Sequence, residues 1–153
     1  MTWVRALFLL MFGSLLLSGC AAKMAYKRGL NWEAQGEMYR AGQEYVDSLN
    51  RKSNNPEVLG ALRRVAQPGY EQGLQLAFTA QNNADFPRAL ALYKQLKGYT
   101  GGLSRHGVLD FTIIDIDRYI EDMAVAAATE RYNKGRRALR ERKFDAAIKH
   151  FKA

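Results

Sequence analysis

The sequence predicts an all-α fold: antiparallel helical hairpins stacked as a short, irregular solenoid behind an apolar leader. Three observations carry this. After Cys20 no segment sustains the alternation of a strand, whereas apolar residues recur at intervals of three and four. Proline is confined to Pro56, Pro68 and Pro87. Two short patterns, Tyr-x-x-Gly and Ala-x-x-x-aromatic, follow one another three times along the chain.

The leader comes first. Arg5 is the only charge before Lys23, and Leu7 to Gly19 is an apolar stretch with small residues at its end. That describes a secretory signal, shorter than the ~20 apolar residues needed to cross a bilayer. Leu17-Ser18-Gly19-Cys20 resembles the lipobox of bacterial lipoproteins. The resemblance implies that the leader 1–19 is cut off, that the Cys20 thiol receives diacylglycerol, and that the new amine is acylated, with a fatty acid such as palmitate. Such chains hold a protein on a membrane at ~0.8 kcal/mol per buried CH₂. Ala21, rather than Asp, implies the outer membrane, with the protein facing the periplasm; the inner membrane and the cell surface are the alternatives.

The rest, 20–153, reads as one helical repeat domain. Nearly half of the 153 residues are hydrophobic, at 48%, and 25% are charged, which argues for a folded chain. Breaks are predicted at Asn50 to Pro56, Pro68-Gly69, Gln81 to Asp85 and Gly98 to Gly102. Ser53 or Asn55 ahead of Pro56-Glu57 predicts a helix start. Leu109, Ile113, Ile116, Ile120 and Met123 form a stripe that predicts one buried helix face.

The repeated patterns have a physical reading. They pair Tyr26/Gly29 with Ala41/Tyr45, Tyr70/Gly73 with Ala89/Tyr93, and Tyr132/Gly135 with Ala147/Phe151. A small residue on each of two helices lets the backbones approach. An aromatic one turn beyond the Ala fills the space toward the next element. From Gly to Ala the distance is twelve residues in the first and third repeats and sixteen in the second, so the second is expected to carry one extra helical turn. One hairpin cannot bury its own face, so hairpins stack.

These segments resemble tetratricopeptide repeats, most closely from Tyr132 to Ala153, where Gly135, Phe144, Ala147 and Phe151 fall on consensus positions. Tyr26 to Leu49 matches with Gly29, Gly36, Ala41 and Tyr45. The family's early Trp is missing, standing as Ala25, Gly69 and Arg131, and the glycines are not 34 residues apart. The resemblance implies a partner groove on the first helices of the hairpins. That groove would include Tyr26, Leu30 and Glu33; Tyr70, Leu74 and Phe78; and Tyr132, Arg136 and Arg140. The third repeat ends just after Phe151, without a polar capping helix, which points to a domain continuing past Ala153.

Chemistry is sparse. One Cys excludes an internal disulfide framework, and His106 and His150 lie far apart, so no metal site is expected. Gly98 to Gly102 lacks the Lys of a phosphate loop and reads as a helix-ending turn. Asp110, Asp115, Asp117, Glu121 and Asp122 alternate with isoleucines and read as the polar face of a helix. No catalytic residue and no cofactor are expected beyond the lipid on Cys20.

The net charge of +8 is concentrated in Lys134, Arg136, Arg137, Arg140, Arg142 and Lys143. On an exported protein this favours anionic lipid, cell wall or an acidic protein over nucleic acid. The expected function is a non-catalytic, membrane-anchored scaffold for envelope protein partners in outer-membrane assembly, secretion or cell-wall maintenance. A peptidoglycan- or polysaccharide-binding lipoprotein, or the N-terminal module of a longer enzyme, are the alternatives.

Overall fold

The computed structural model describes residues 20–152; the leader, with Leu17, Ser18 and Gly19, lies outside the described residues. These form six helices and no strand: α1 (20–34), α2 (Met38–Arg51), α3 (Pro56–Asn82), α4 (Phe86–Arg105), α5 (Ile116–Arg140) and α6 (Phe144–Lys152). The all-α expectation holds, and helices adjacent in sequence pack on one another.

Two of the predicted breaks do not occur. Pro68 sits inside α3, and Gly98 to Gly102 lie inside α4. Proline removes one helical N–H and loosens the turn before it. The Tyr99 hydroxyl approaches that turn, at 3.4 Å from Val65 O and 3.3 Å from Ala66 O. The expected stripe from Leu109 to Met123 is also not one helix. Gly107, at φ +65°, ends the turn after α4, and α5 begins only at Ile116. Asp115 sets that start, because its side chain accepts from Arg118 N–H at 3.3 Å. Asn55 does the same for α3, accepting from Glu57 N–H at 3.1 Å.

Backbone proximity groups the described residues into two compact units: 20–73 with Gly98–Thr112, and Leu74–Lys97 with 113–152. In the first unit, α2 packs against α1, α3 and α4. Each approach is permitted by a glycine. A Cβ on Gly29 of α1 would lie 2.3 Å from the Tyr45 ring, on Gly69 of α3 2.9 Å from Met38 O, and on Gly102 of α4 2.5 Å from a Val46 methyl. Leu49, Leu62 and Leu103 are fully buried there and contribute about 1.5–3 kcal/mol each.

In the second unit, Tyr119 of α5 stacks on Tyr93 of α4, with centroids 5.2 Å apart and planes at 25°. It also meets Phe78 of α3 edge-on at 5.6 Å. Lys97 pairs with Asp117. Beyond this layer α5 turns back into α6, where Ala138 and Ala147 are buried.

Three hairpins, α1–α2, the end of α3 with the start of α4, and α5–α6, share one construction. In each turn one residue has positive φ: Gly36 at +77°, Ala84 at +56° and Arg142 at +56°. The next N–H reaches back to close the preceding helix, as Glu37 to Trp32 O, Asp85 to Ala80 O and Lys143 to Ala138 O, all at 2.9–3.0 Å. Seven residues before each turn residue stand Gly29, Ala77 and Gly135. The small residue of the middle hairpin is therefore Ala77, not Gly73, and the extra turn expected from Gly73 disappears. The distances to Ala41, Ala89 and Ala147, and on to Tyr45, Tyr93 and Phe151, are then the same in all three hairpins.

Candidate interaction surfaces

The aromatic of each hairpin is locked by the helix opposite. The Tyr45 hydroxyl donates to Glu33, and the Tyr93 hydroxyl donates to Gln81 at 2.7 Å. Both bonds span twelve residues, a direct sign that the two hairpins are equivalent. Burial opposes the charge on Glu33, yet the hydrogen bonds from Tyr45 and Arg64 outweigh it and hold its carboxyl below the usual range. In the third hairpin the same two places are Leu139 and Phe151, an apolar pair with no hydroxyl and no acceptor.

The residues expected to line a groove are placed unevenly. Tyr26 and Tyr70 belong to the first unit, and Phe78, Tyr132, Arg136 and Arg140 to the second. Tyr26 is half-buried, with its hydroxyl donating to Glu57 at 2.9 Å and its ring 5.8 Å from Tyr45. Tyr70 is only 4% exposed and packs on Phe111, so its ring is part of the core. Phe78 is half-buried between Tyr93 and Tyr119. Tyr132 is open to solvent, against Phe151 at 6.1 Å, with the Arg136 guanidinium 5.8 Å from its ring. Arg140 is exposed at the end of α5.

Two surfaces stand out. The first is a concavity of about 390 Å³ in the first unit, bordered by Lys23, Tyr26, Lys27, Leu30, Lys52 and Asn55. Lys23 and Lys27 are one turn apart on α1, and Lys52 follows α2. None of the three forms an ion pair among the described residues, and the bordering Glu57 is engaged by Tyr26. Exposed Cys20 lies one turn before Lys23. Three ammonium groups on one concave wall attract anions.

The second surface is the α5–α6 hairpin. Phe144 is 60% exposed, and Ile148, Phe151, Tyr132 and Leu139 are all exposed as well. Arg137, Arg140, Arg142 and Lys149 are exposed on the same hairpin and form no ion pair among the described residues, while Glu141 is taken by Lys143. The Glu141 carboxyl is held low by its hydrogen bond and charge contact with Lys143.

Sequence reading missed the lysine concavity, because its members are far apart in the chain. It missed Ala77 because it searched for Gly alone. Requiring the same Gly-to-Ala distance in every repeat would have found it.

Among the described residues, no three His, Cys, Asp or Glu side chains come together as a metal site. No described helix is long and apolar enough to cross a membrane. Comparison with protein-family models, curated proteins and solved structures finds no match to the chain.

Proposed function

We propose that the protein is a membrane-anchored, non-catalytic helical scaffold lipoprotein that binds other proteins of a bacterial envelope. The observation that carries this reading is the hairpin repeated three times with identical spacing, the last presenting an open apolar strip on a basic hairpin. Equal spacing in every hairpin strengthens the likeness to tetratricopeptide repeats, whose stacked faces receive partners. An exposed strip of large apolar side chains is the ordinary mark of a docking surface.

Cys20, exposed at the start of the described chain, is the acylation site in this reading. Lys23, Lys27 and Lys52 would then meet the headgroups beside the anchor, each adding about 1 kcal/mol on an anionic surface. The outer membrane is the proposed address, with the scaffold facing the periplasm.

Metabolic labelling with a palmitate analogue tests the anchor. The wild-type chain should be labelled and membrane-bound, and Cys20→Ala should accumulate as unlabelled precursor. Normal processing and release of that variant would sink the lipoprotein reading. Affinity purification from detergent-solubilised membranes tests the scaffold, which requires a stoichiometric envelope partner. Sedimentation with purified cell wall, abolished by high salt, would favour the polysaccharide-binding alternative instead.

A further inference from the structure

We infer that the concavity between the start of α1 and the α2–α3 connection binds one phosphate monoester group. This goes beyond the headgroup contact proposed above, because it is a single stoichiometric site and does not depend on acylation of Cys20.

Charge sets the class of ligand. The charged residues bordering the concavity are Lys23, Lys27, Lys52 and Glu57. Glu57 accepts from the Tyr26 hydroxyl at 2.9 Å, and none of the lysines is paired with it. Close by, Arg28 and Arg51 share Glu44 and Asp47, so that group carries no net charge. The end of α2 and the start of α3 both border the wall, and their dipoles oppose one another. The side chains therefore decide the sign, and they leave two positive charges unbalanced around a space of about 390 Å³. That volume is typical of a small-molecule cleft.

A phosphate monoester supplies what this wall lacks. It carries nearly two negative charges and three strongly accepting oxygens. A carboxylate or a phosphate diester carries only a single charge. Lysines hold phosphate as point charges from several directions, whereas the planar arginine fork that favours carboxylate pairs does not border this concavity.

Asn55 adds a neutral donor. Its Oδ1 is committed to the start of α3, accepting from Glu57 N–H at 3.1 Å and from Val58 N–H at 3.4 Å. The amide NH₂ is thus the end left over, and it makes no hydrogen bond among the described residues. Ser48, by contrast, is buried and donates to Ala22 O at 2.8 Å. Tyr26 and Leu30 give the same wall an apolar edge, which suits the organic group that the phosphate esterifies.

Calorimetric titration of the full chain with glycerol 3-phosphate reads the site directly. Saturable binding of one phosphate per chain is expected. Lys23→Gln and Lys27→Gln should each weaken it about fivefold. Lys94→Gln removes the same charge from an exposed position in the other unit and should leave it unchanged. Asn55→Asp keeps the helix cap but turns the donor into a carboxylate, so binding should fall more than about tenfold while Tm holds. Glu57→Gln should tighten binding about threefold, which no loss of folding could imitate.

Vesicles separate the two sources of the phosphate. Phosphatidylcholine vesicles containing phosphatidic acid, a monoester, are compared with vesicles brought to the same surface charge by phosphatidylglycerol, a diester. Preference for phosphatidic acid, lost in Asn55→Asp, would assign the site to a lipid headgroup. Binding of glycerol 3-phosphate without such preference would assign it to a soluble monoester. Absence of both kinds of binding, unchanged binding by Asn55→Asp, or equal losses in Lys94→Gln and Lys27→Gln would overturn the inference. Equal attraction to both vesicles without binding of glycerol 3-phosphate would reject the site and leave only the headgroup contact. Failure here with normal labelling of Cys20 would keep the anchor and remove this site, and the reverse result would keep the site and remove the anchor.

Discussion

Gly101 and Gly102 are neighbours in one turn of α4 and should respond to alanine in opposite directions. Gly101 is exposed, and a Cβ there meets nothing within 4 Å. Gly102 is buried, and its Cβ would lie 2.5 Å and 3.1 Å from the two Val46 methyls. Either substitution gains about 1 kcal/mol of helix propensity. At Gly101 nothing opposes that gain, so Gly101→Ala should raise Tm by roughly 3–4 °C. At Gly102 the nearest methyl must retreat by about 1 Å to reach ordinary contact. Rotating Val46 only exchanges one methyl for the other, and a β-branched side chain in a helix has one favoured rotamer. Overpacking of this kind costs about 1–3 kcal/mol, enough to cancel or reverse the propensity gain. Gly102→Ala should therefore fall below Gly101→Ala by that amount in urea or thermal unfolding. If the two variants are stabilised equally, α2 and α4 do not approach as closely as described, and glycine-mediated packing is refuted.

Three further outcomes are expected. Tyr93→Phe removes the bond to Gln81 and should cost about 1 kcal/mol, whereas the Tyr39 hydroxyl has Gln43 near it but no well-formed hydrogen bond, so Tyr39→Phe should cost less in the same unfolding assay. Burial pushes the phenols of Tyr39 and Tyr93 up to about 12, with Tyr119 adding to the shift at Tyr93; both therefore stay protonated in the fold after they would ionise in the unfolded chain. Their contribution is complete below about pH 10 and is lost as pH rises toward 12, so the part of the tyrosinate absorbance that Tyr39→Phe and Tyr93→Phe remove should appear together with alkaline unfolding; ionisation of these two phenols with the fold intact would contradict it. Arg142→Gly relieves a positive φ and should stabilise the third hairpin by about 1 kcal/mol, seen as slower amide exchange in α6; no change would mean that the turn is not strained.

The sequence revealed the helical class and the regular places of Gly29, Tyr45, Gly135 and Phe151, because these patterns are local; it sent the aromatics toward the next element, whereas each ring lies against the glycine of its own hairpin. It misled wherever Pro and Gly were read as local punctuation. Gly102 and Gly69 are small because another helix passes close to them, a constraint that arises far away in sequence. Pro68 is tolerated within α3 in the same neighbourhood. The stripe from Leu109 to Met123 failed for a different reason. Leu109 and Ile113 are half-buried from a non-helical segment, and Asp115 caps a helix that starts later. The open strip on α6 was hidden because Phe144 and Phe151 look like core residues until their exposure is seen.

The exchange of a Tyr–acceptor pair for Leu139 and Phe151 also sets the order in which the molecule loosens. The first two hairpins are cross-linked by a directional bond to a buried hydroxyl, and such bonds must break before the helices separate. The third has Leu139 and Phe151 in those places, both partly exposed, and no such bond joins its helices there. α6 is therefore expected to open from α5 more readily than α2 opens from α1, with faster amide exchange.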